Sequence, residues 1–131
     1  MSPVIHLTED AFEKATAQSA PILIDFWASS GGREPRVGPA PTHPLRRLAA
    51  PEPRCGPCRM QGPILDEVAR TVGAQAIVAK VNADEEPFLA ARFGVQSIPT
   101  LVLLKGGRIQ QRMVGLRPVH VLVEALQQVV A

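Results

Sequence analysis

Two cysteines separated by two residues are the strongest chemical signal in this sequence. Cys55 and Cys58 flank Gly56-Pro57, and the chain of 131 residues contains only 2 cysteines. The flanking patterns predict that the pair begins a helix, where backbone N–H groups and the helix dipole stabilise a thiolate. Two intervening residues let the sulfurs meet across one turn. Cys55 is therefore predicted to attack a disulfide, and Cys58 to resolve the mixed disulfide.

Three other interpretations of the cysteine pair remain open on spacing alone. Half of a zinc site would need two more ligands, and His6, His43 and His120 show no paired spacing. Inert core cysteines would not usually flank Gly-Pro at the start of a helix. A static disulfide at this spacing would constrain little chain and stabilise the fold little. Dithiol redox chemistry is the favoured interpretation.

The elements that must position the pair follow from hydrophobic patterning. Strands are predicted at 4–7, 22–27, 76–81, 100–104 and 108–114. Short helices are predicted after Thr8, which is a suitable N-cap, and from Pro87 to Gly94. A longer helix is predicted at 118–130, with an apolar stripe of Val119, Leu122, Val123, Leu126 and Val130 at helical spacing. The helix that begins at Cys55 carries the apolar stripe Met60, Ile64, Leu65, Val68 and Val72, and Pro63 should kink it. This order predicts a mixed sheet with helices on both faces.

Proline and arginine are concentrated in one segment. Six of the 13 prolines and five of the 14 basic residues fall within residues 29–54. The segment has neither the period of a strand nor that of a helix, and it contains few large apolar residues. We therefore expect a solvent-exposed, mobile loop, in which residues 45–50 are able to form a helical turn.

Composition and charge exclude several classes of protein. A net charge of +2 with 4% aromatic residues is a poor signature of nucleic-acid binding. The sequence has no apolar run of about 18 residues, which a membrane span would need. Residues 1–9 lack the basic start and apolar core of a secretory signal, so a cytoplasmic location is expected. The length fits one domain, residues 1–131.

Several motifs, in order along the chain, resemble the thioredoxin family. They are Leu23-Ile24-Asp25-Phe26-Trp27-Ala28, Cys55-Gly56-Pro57-Cys58-Arg59-Met60, Pro63-Ile64-Leu65-Asp66-Glu67, Val78-Ala79-Lys80-Val81-Asn82, Ile98-Pro99-Thr100 and Val114-Gly115. The match covers residues 1–28 and 55–131. It implies an α/β thioredoxin fold in a single thioredoxin-like domain, with a central mixed β-sheet, helices on both faces and a long loop insertion at 29–54.

The resemblance also assigns roles beyond the cysteines. Asp25 matches a buried carboxylate beneath the dithiol that would accept a proton from Cys58, and Lys80 matches a lysine near this acid. The alternative for Asp25 is a structural carboxylate paired with Lys80, and the two roles are compatible. Pro99 matches a cis-proline that faces the cysteines, with the Ile98 backbone pairing with an extended substrate. An ordinary turn proline is the alternative for Pro99.

The other positions implied by the resemblance surround an apolar substrate groove. For Trp27, packing in the core is the alternative interpretation. The groove positions are Trp27, Gly56, Pro57, Ala83, Val114 and Gly115.

The segment before the cysteines departs from the family pattern. Cys55 follows Ala28 by 27 positions instead of three, so the chain carries 24 extra residues there. Arg54 stands where an aromatic residue is usual, and its charge would favour the Cys55 thiolate if it stays close. The segment is a tolerated insertion, a stretch translated in error, or a flap that docks a partner or selects substrates.

The sequence thus predicts a protein disulfide reductase that needs no metal or organic cofactor beyond its reversible Cys55–Cys58 disulfide. The resemblance implies a monomer acting in electron transport and cell redox homeostasis, with disulfide-containing protein substrates and thioredoxin reductase as electron donor. Neither nucleic acid nor membrane is an expected partner. The alternative is a thioredoxin-fold binding module with redox activity weakened by the inserted loop. An oxidase or isomerase on the same fold is a third possibility.

Deletion of residues 30–53 tests the inserted segment. Closing a loop of roughly 26 residues instead of about two costs about 2 kcal/mol more entropy, so the deletion should raise the free energy of unfolding by about that amount. Urea denaturation measures the gain. We expect reductase-coupled turnover of a protein disulfide at least equal to that of the full chain. A folded deletion variant without turnover would contradict a passive loop.

Overall fold

The computed structural model describes residues 4–29 and 56–130, with side chains from Met60 onward in the second range. Arg54, Cys55 and the rest of residues 30–55 lie outside the described residues. The predicted loop at 29–54 and the predicted helical turn at 45–50 therefore remain predictions.

The described elements follow the predicted order, with bounds that differ by a residue or two. They are β1 (Ile5–His6), α1 (Glu9–Thr16), β2 (Ile22–Trp27), α2 (Gly56–Val72), β3 (Ile77–Asn82), α3 (Pro87–Arg92), β4 (Thr100–Lys105), β5 (Arg108–Val114) and α4 (Val119–Val130). A 3-10 turn, Gly73–Gln75, connects α2 to β3. None of the helices in these two ranges has the length and apolarity needed to cross a bilayer.

The five strands form one mixed sheet in the order β1-β3-β2-β4-β5. β1 and β2 run parallel to β3 on either side of it. β4 runs antiparallel to β2, and β5 is antiparallel to β4. The predicted mixed sheet is confirmed, with the apolar strand β2 at its centre.

Side-chain alternation divides the core between the two faces of the sheet. On β2, Leu23 belongs to one cluster, whereas Ile24 and Phe26 belong to the other. The first cluster joins the sheet to α2 and α4 through Leu65, Val68, Ala69, Val72, Leu122, Ala125 and Leu126. The second joins it to α1 and α3 through Phe12, Ala15, Leu89 and Phe93. Helices therefore cover both faces, as predicted.

Two residues that the sequence predicts in apolar stripes are exposed in the structure. Met60 is 60% exposed, because the buried face of α2 runs through Gln61, Leu65, Val68 and Val72. Adjacent helical positions differ by about 100°, so Met60 turns away from that face. Val130, at the end of α4, is 38% exposed. The other predicted members of the α2 stripe are buried or half-buried.

The predicted turn signals are confirmed. Gly106 and Gly107 join β4 to β5 with φ angles of 61° and 77°, which suit the tight hairpin connection. Thr8 caps α1, since the Ala11 backbone N–H donates to its hydroxyl oxygen at 3.3 Å. α3 begins at Pro87, and Gly94, with a φ of 64°, lies just after its end.

Loss of the Thr8 cap should destabilise the fold moderately. Thr8→Ala leaves a donor of the first turn of α1 without its acceptor, which costs about 1 kcal/mol. Thr71→Ala is the control, because Thr71 is an exposed residue near the end of α2 and caps nothing at an N-terminus. Urea denaturation should show the loss for Thr8→Ala alone. An equal change in both variants would contradict the capping role.

Candidate functional site

The path of the chain carries the start of α2 to one edge of the sheet. β2 and β3 are parallel neighbours, and α2 lies between them in sequence. A connection of this kind returns antiparallel to the strands, so α2 begins near the carboxyl ends of β2 and β3. The helix starts at Gly56, one residue after Cys55, and contains Pro57 and Cys58 in its first turn. The predicted position of the dithiol motif at a helix start agrees with this backbone path.

Asp25 is a carboxylate in the most buried part of the sheet. It is 0% exposed, on the central strand β2. It alternates with Ile24 and Phe26 and shares the face of Leu23, which packs against α2. Within residues 4–29 and 60–130, neither carboxylate oxygen has a hydrogen-bond partner. A buried acid without a partner is costly unless it is protonated or used.

Burial changes the protonation of this acid. Removal from water raises the pKa of Asp25 from 3.8 to about 7, and the charge of Lys80 lowers it by a smaller amount. Lys80 is the register partner of Asp25 on β3, which explains why its charge acts on the carboxyl. The acid is therefore poised to take up or release a proton near neutral pH.

Lys80 also connects Asp25 to its surroundings. Its Nζ atom lies 5.2 Å from the centre of the Trp27 ring, a cation–π contact. A Cβ atom built on Gly62 of α2 would lie 3.7 Å from the same Nζ, so the helix backbone passes close to this amine. Trp27 is half-buried, and its Nε1 has no hydrogen-bond partner in the described part of the chain.

Four of the residues implied by the resemblance lie together on the β4–β5 side. The Ile98–Pro99 peptide bond is cis, as the resemblance implies. Gly115, with a φ of 95°, donates its backbone N–H to the Pro99 carbonyl at 2.8 Å. Val114 pairs with Thr100 and is 51% exposed. The two predicted groove segments, 98–99 and 114–115, are thus held side by side.

A cavity of about 410 Å³ opens beside Ile98. Three alanines, Ala28, Ala83 and Ala90, line it together with Ile98 and Val95. Ala83 and Ile98 were predicted near the groove, whereas Ala28, Ala90 and Val95 were not. These residues line the cavity with small side chains that leave space, and no sequence motif marks residues of this kind.

A sequence model of the thioredoxin family matches residues 50–128, which include both cysteines. The thioredoxin of Alicyclobacillus acidocaldarius is 37% identical over 112 residues, which cover 86% of this chain and 84% of that protein. Thioredoxin 1 of Nostoc sp. is 34% identical over 129 residues, 98% of each chain. The thioredoxin of Haemophilus influenzae is 36% identical over 119 residues, 90% of this chain and 89% of that one.

The chain belongs to the thioredoxin family. It is therefore a thiol–disulfide oxidoreductase, and the predicted fold and class of activity are confirmed. The side chains of Cys55 and Cys58 lie outside the described residues, as do those of Gly56 and Pro57. Among the described side chains, no three His, Cys, Asp or Glu residues cluster as a metal site would require.

One buried polar residue was not predicted from the sequence. Gln61 is 0% exposed on α2. Its side-chain amide donates to the Arg117 carbonyl at 2.9 Å and accepts from the Arg117 N–H at 2.9 Å. The spacing Gln61, Leu65, Val68, Val72 could have revealed that a glutamine occupies the apolar face. Its partner, 56 positions away, had no local signal.

Polar contacts also hold Ser29, the second residue after β2, in place. The Ser29 hydroxyl donates to Asp84 Oδ2 at 3.1 Å, and the Ser29 N–H donates to Asn82 Oδ1 at 3.5 Å. Because Asn82 ends β3, the chain leaves the described fold at residue 29 from a defined point.

Replacement of Asp25 should change how stability depends on pH. A folded-state pKa of about 7 against 3.8 means that the protonated acid stabilises the fold fully below pH 3.8. That contribution is lost as the pH rises toward 7. Asp25→Asn does not titrate, so its stability relative to wild type should rise across this window. Three pKa units correspond to about 4 kcal/mol at most.

Urea denaturation of the reduced proteins at several pH values between 4 and 8 measures this difference. Asp66→Asn, at an exposed position of α2, controls for the chemical change. A difference between Asp25→Asn and wild type that stays constant with pH would contradict the assignment.

Proposed function

We propose that this protein reduces protein disulfides with Cys55 as nucleophile and Cys58 as resolving cysteine. The Cys55 thiolate attacks one sulfur of the substrate disulfide, which forms a mixed disulfide and releases a substrate thiolate. The Cys58 thiolate then attacks the Cys55 sulfur, closes the Cys55–Cys58 disulfide and releases the second substrate thiolate. Two electrons pass from the dithiol to the substrate. The helix start at Gly56 supports this, because it favours a thiolate at Cys55.

Asp25 is the residue that carries this proposal in the described structure. A carboxyl with a pKa near 7, buried on the sheet face that packs against α2, is suited to accept the Cys58 proton during resolution. Lys80 contributes by its charge, which keeps the pKa of Asp25 lower than burial alone would make it. Among the described residues, Lys80 forms neither a hydrogen bond nor an ion pair with Asp25, so it acts on the carboxyl through its charge and not as a structural partner.

The substrate would lie across the rims of the site. We assign its contacts to Trp27, Gly56, Pro57, Ile98, Pro99, Val114 and Gly115. The Ile98 backbone would pair with an extended substrate segment. Two observations support this: Val114 exposes an apolar side chain, and the cavity beside Ile98 gives space for a substrate side chain.

The proposal extends to the substrates, the electron donor, the oligomeric state and the location of the protein. Disulfide-containing proteins are the substrates, and a thioredoxin reductase restores the dithiol. The reversible disulfide takes the place of a cofactor. A single domain over residues 1–131 acts as a monomer, in the cytoplasm, where thiols are kept reduced. No described residue favours the alternative, a thioredoxin-fold binding module with redox activity weakened by the inserted loop.

Serine variants of the two cysteines separate their roles. Cys55→Ser should abolish reductase-coupled reduction of insulin, because a hydroxyl does not replace the attacking thiolate. Cys58→Ser should form a mixed disulfide that persists, since nothing resolves it. Mass spectrometry detects the trapped substrate, and circular dichroism confirms that both variants fold. Turnover retained by Cys55→Ser would refute the mechanism.

A further inference from the structure

A proline divides α2, the helix that bears the cysteine motif. Pro63 lies inside Gly56–Val72 and has no N–H to donate to the carbonyl four residues earlier. The part of α2 after Pro63 is fixed to the sheet by Leu65, Val68 and Val72 in the core. The part before Pro63 lacks one helical hydrogen bond to the rest, so contacts of its own must help to orient it.

Gln61 supplies such a contact. It lies two residues before Pro63 and three after Cys58. Both of its hydrogen bonds, at 2.9 Å each, go to the backbone of one residue, Arg117. A donor and an acceptor on one planar amide, facing the N–H and C=O of one residue, fix both the distance and the rotation between the two segments. An apolar side chain of similar size would set the distance by packing but would constrain the rotation less, because the hydrophobic effect has no direction.

The partner segment is itself tied to the site. Arg117 lies two residues after Gly115, whose N–H donates to the Pro99 carbonyl at 2.8 Å. A short path therefore runs from the start of α2 through Gln61, Arg117 and Gly115 to Pro99. It connects the three segments that the proposed function places around the substrate: 56–58, 98–99 and 114–115.

We propose that Gln61 is a positioning residue for exchange with protein substrates. Its amide sets the spacing between the start of α2 and the rims at 98–99 and 114–115. This inference rests on the proposed function, in which a substrate chain lies across those rims. Gln61 itself acts through Arg117 and does not touch the reacting sulfurs.

Protein disulfides and small disulfides should respond differently to the loss of the Gln61 contacts. A protein disulfide must contact the helix start and the rims at once, so a change in their spacing weakens its binding. A small disulfide such as hydroxyethyl disulfide needs only the sulfur of Cys55. Loss of the Gln61 contacts should therefore raise KM for a protein substrate and leave kcat and the rate with the small disulfide within about twofold.

Gln61→Leu is the first test, because it removes both hydrogen bonds at similar volume. The rise in KM for insulin is expected to be roughly tenfold, which corresponds to about 1.4 kcal/mol of lost binding free energy. Gln61→Met is the second variant, because it also removes both hydrogen bonds and its unbranched side chain is close to glutamine in length, so the same rise is expected. If Gln61→Leu does not fold, as judged by circular dichroism, Gln61→Met carries the test alone.

Val68→Ala is the matched control. Val68 lies on the same helix beyond Pro63 and is 0% exposed. The variant should lose stability while both Gln61–Arg117 hydrogen bonds are kept. It should melt at a lower temperature with an unchanged KM. An equal KM rise in Val68→Ala, or an unchanged KM in a folded Gln61 variant of an active protein, overturns the positioning role. A wild type that reduces neither substrate overturns the proposed function instead, and the positioning role falls with it.

Discussion

The burial of one carboxylate sets the conditions for the whole site. Asp25 lies at the centre of the sheet with 0% exposure, where a charge is strongly disfavoured. Its pKa of about 7 is the direct result, because burial outweighs the opposing charge of Lys80. Water or a mobile cation at the carboxyl would return its pKa toward the ordinary value, so this pKa depends on the packing around Asp25. The packing that buries Asp25 therefore also determines its pKa.

The two faces of the sheet differ in the helices they contact and in their polarity. The face toward α1 and α3 is apolar, with Ile24 and Phe26 packed among Phe12 and Phe93. The face toward α2 and α4 carries Asp25 on the strand that carries Leu23. Strand alternation makes this separation possible, because neighbouring residues of β2 meet different environments. The apolar face can hold β2 in position while the other accommodates an acid that has no hydrogen-bond partner among the described side chains.

The sequence predicted what depends on local patterns. The N-cap at Thr8, the glycine hairpin and the strand β2 all depend on residues close in the chain, and all agree with the structure. The position of Asp25 within an apolar strand was a sufficient signal that this acid is buried. The resemblance implied the cis bond before Pro99, which patterning alone would not have shown.

The failures have a common physical origin. Met60 was placed in the apolar stripe because of its residue type, although the helical period places Gln61 on the buried face. Gln61 is buried because the Arg117 backbone satisfies its amide, and that contact spans 56 positions. The alanine-lined cavity likewise depends on residues from separate segments. Tertiary partners of this kind override residue-type preferences and leave no periodic pattern in the chain.

The length of the segment before the cysteines gives the long-range contacts of α2 more weight. A connection of about two residues between β2 and the helix would restrict where the helix can begin. Here 26 residues, 30–55, separate the last described residue after β2 from the first residue of α2. A connection of that length can span many end-to-end separations, so it does not by itself define the start of the helix. Ser29 is fixed by Asn82 and Asp84, and α2 is fixed by its apolar face and by Gln61. Since each side has its own anchors, the site can be assembled by tertiary contacts in place of a short connection.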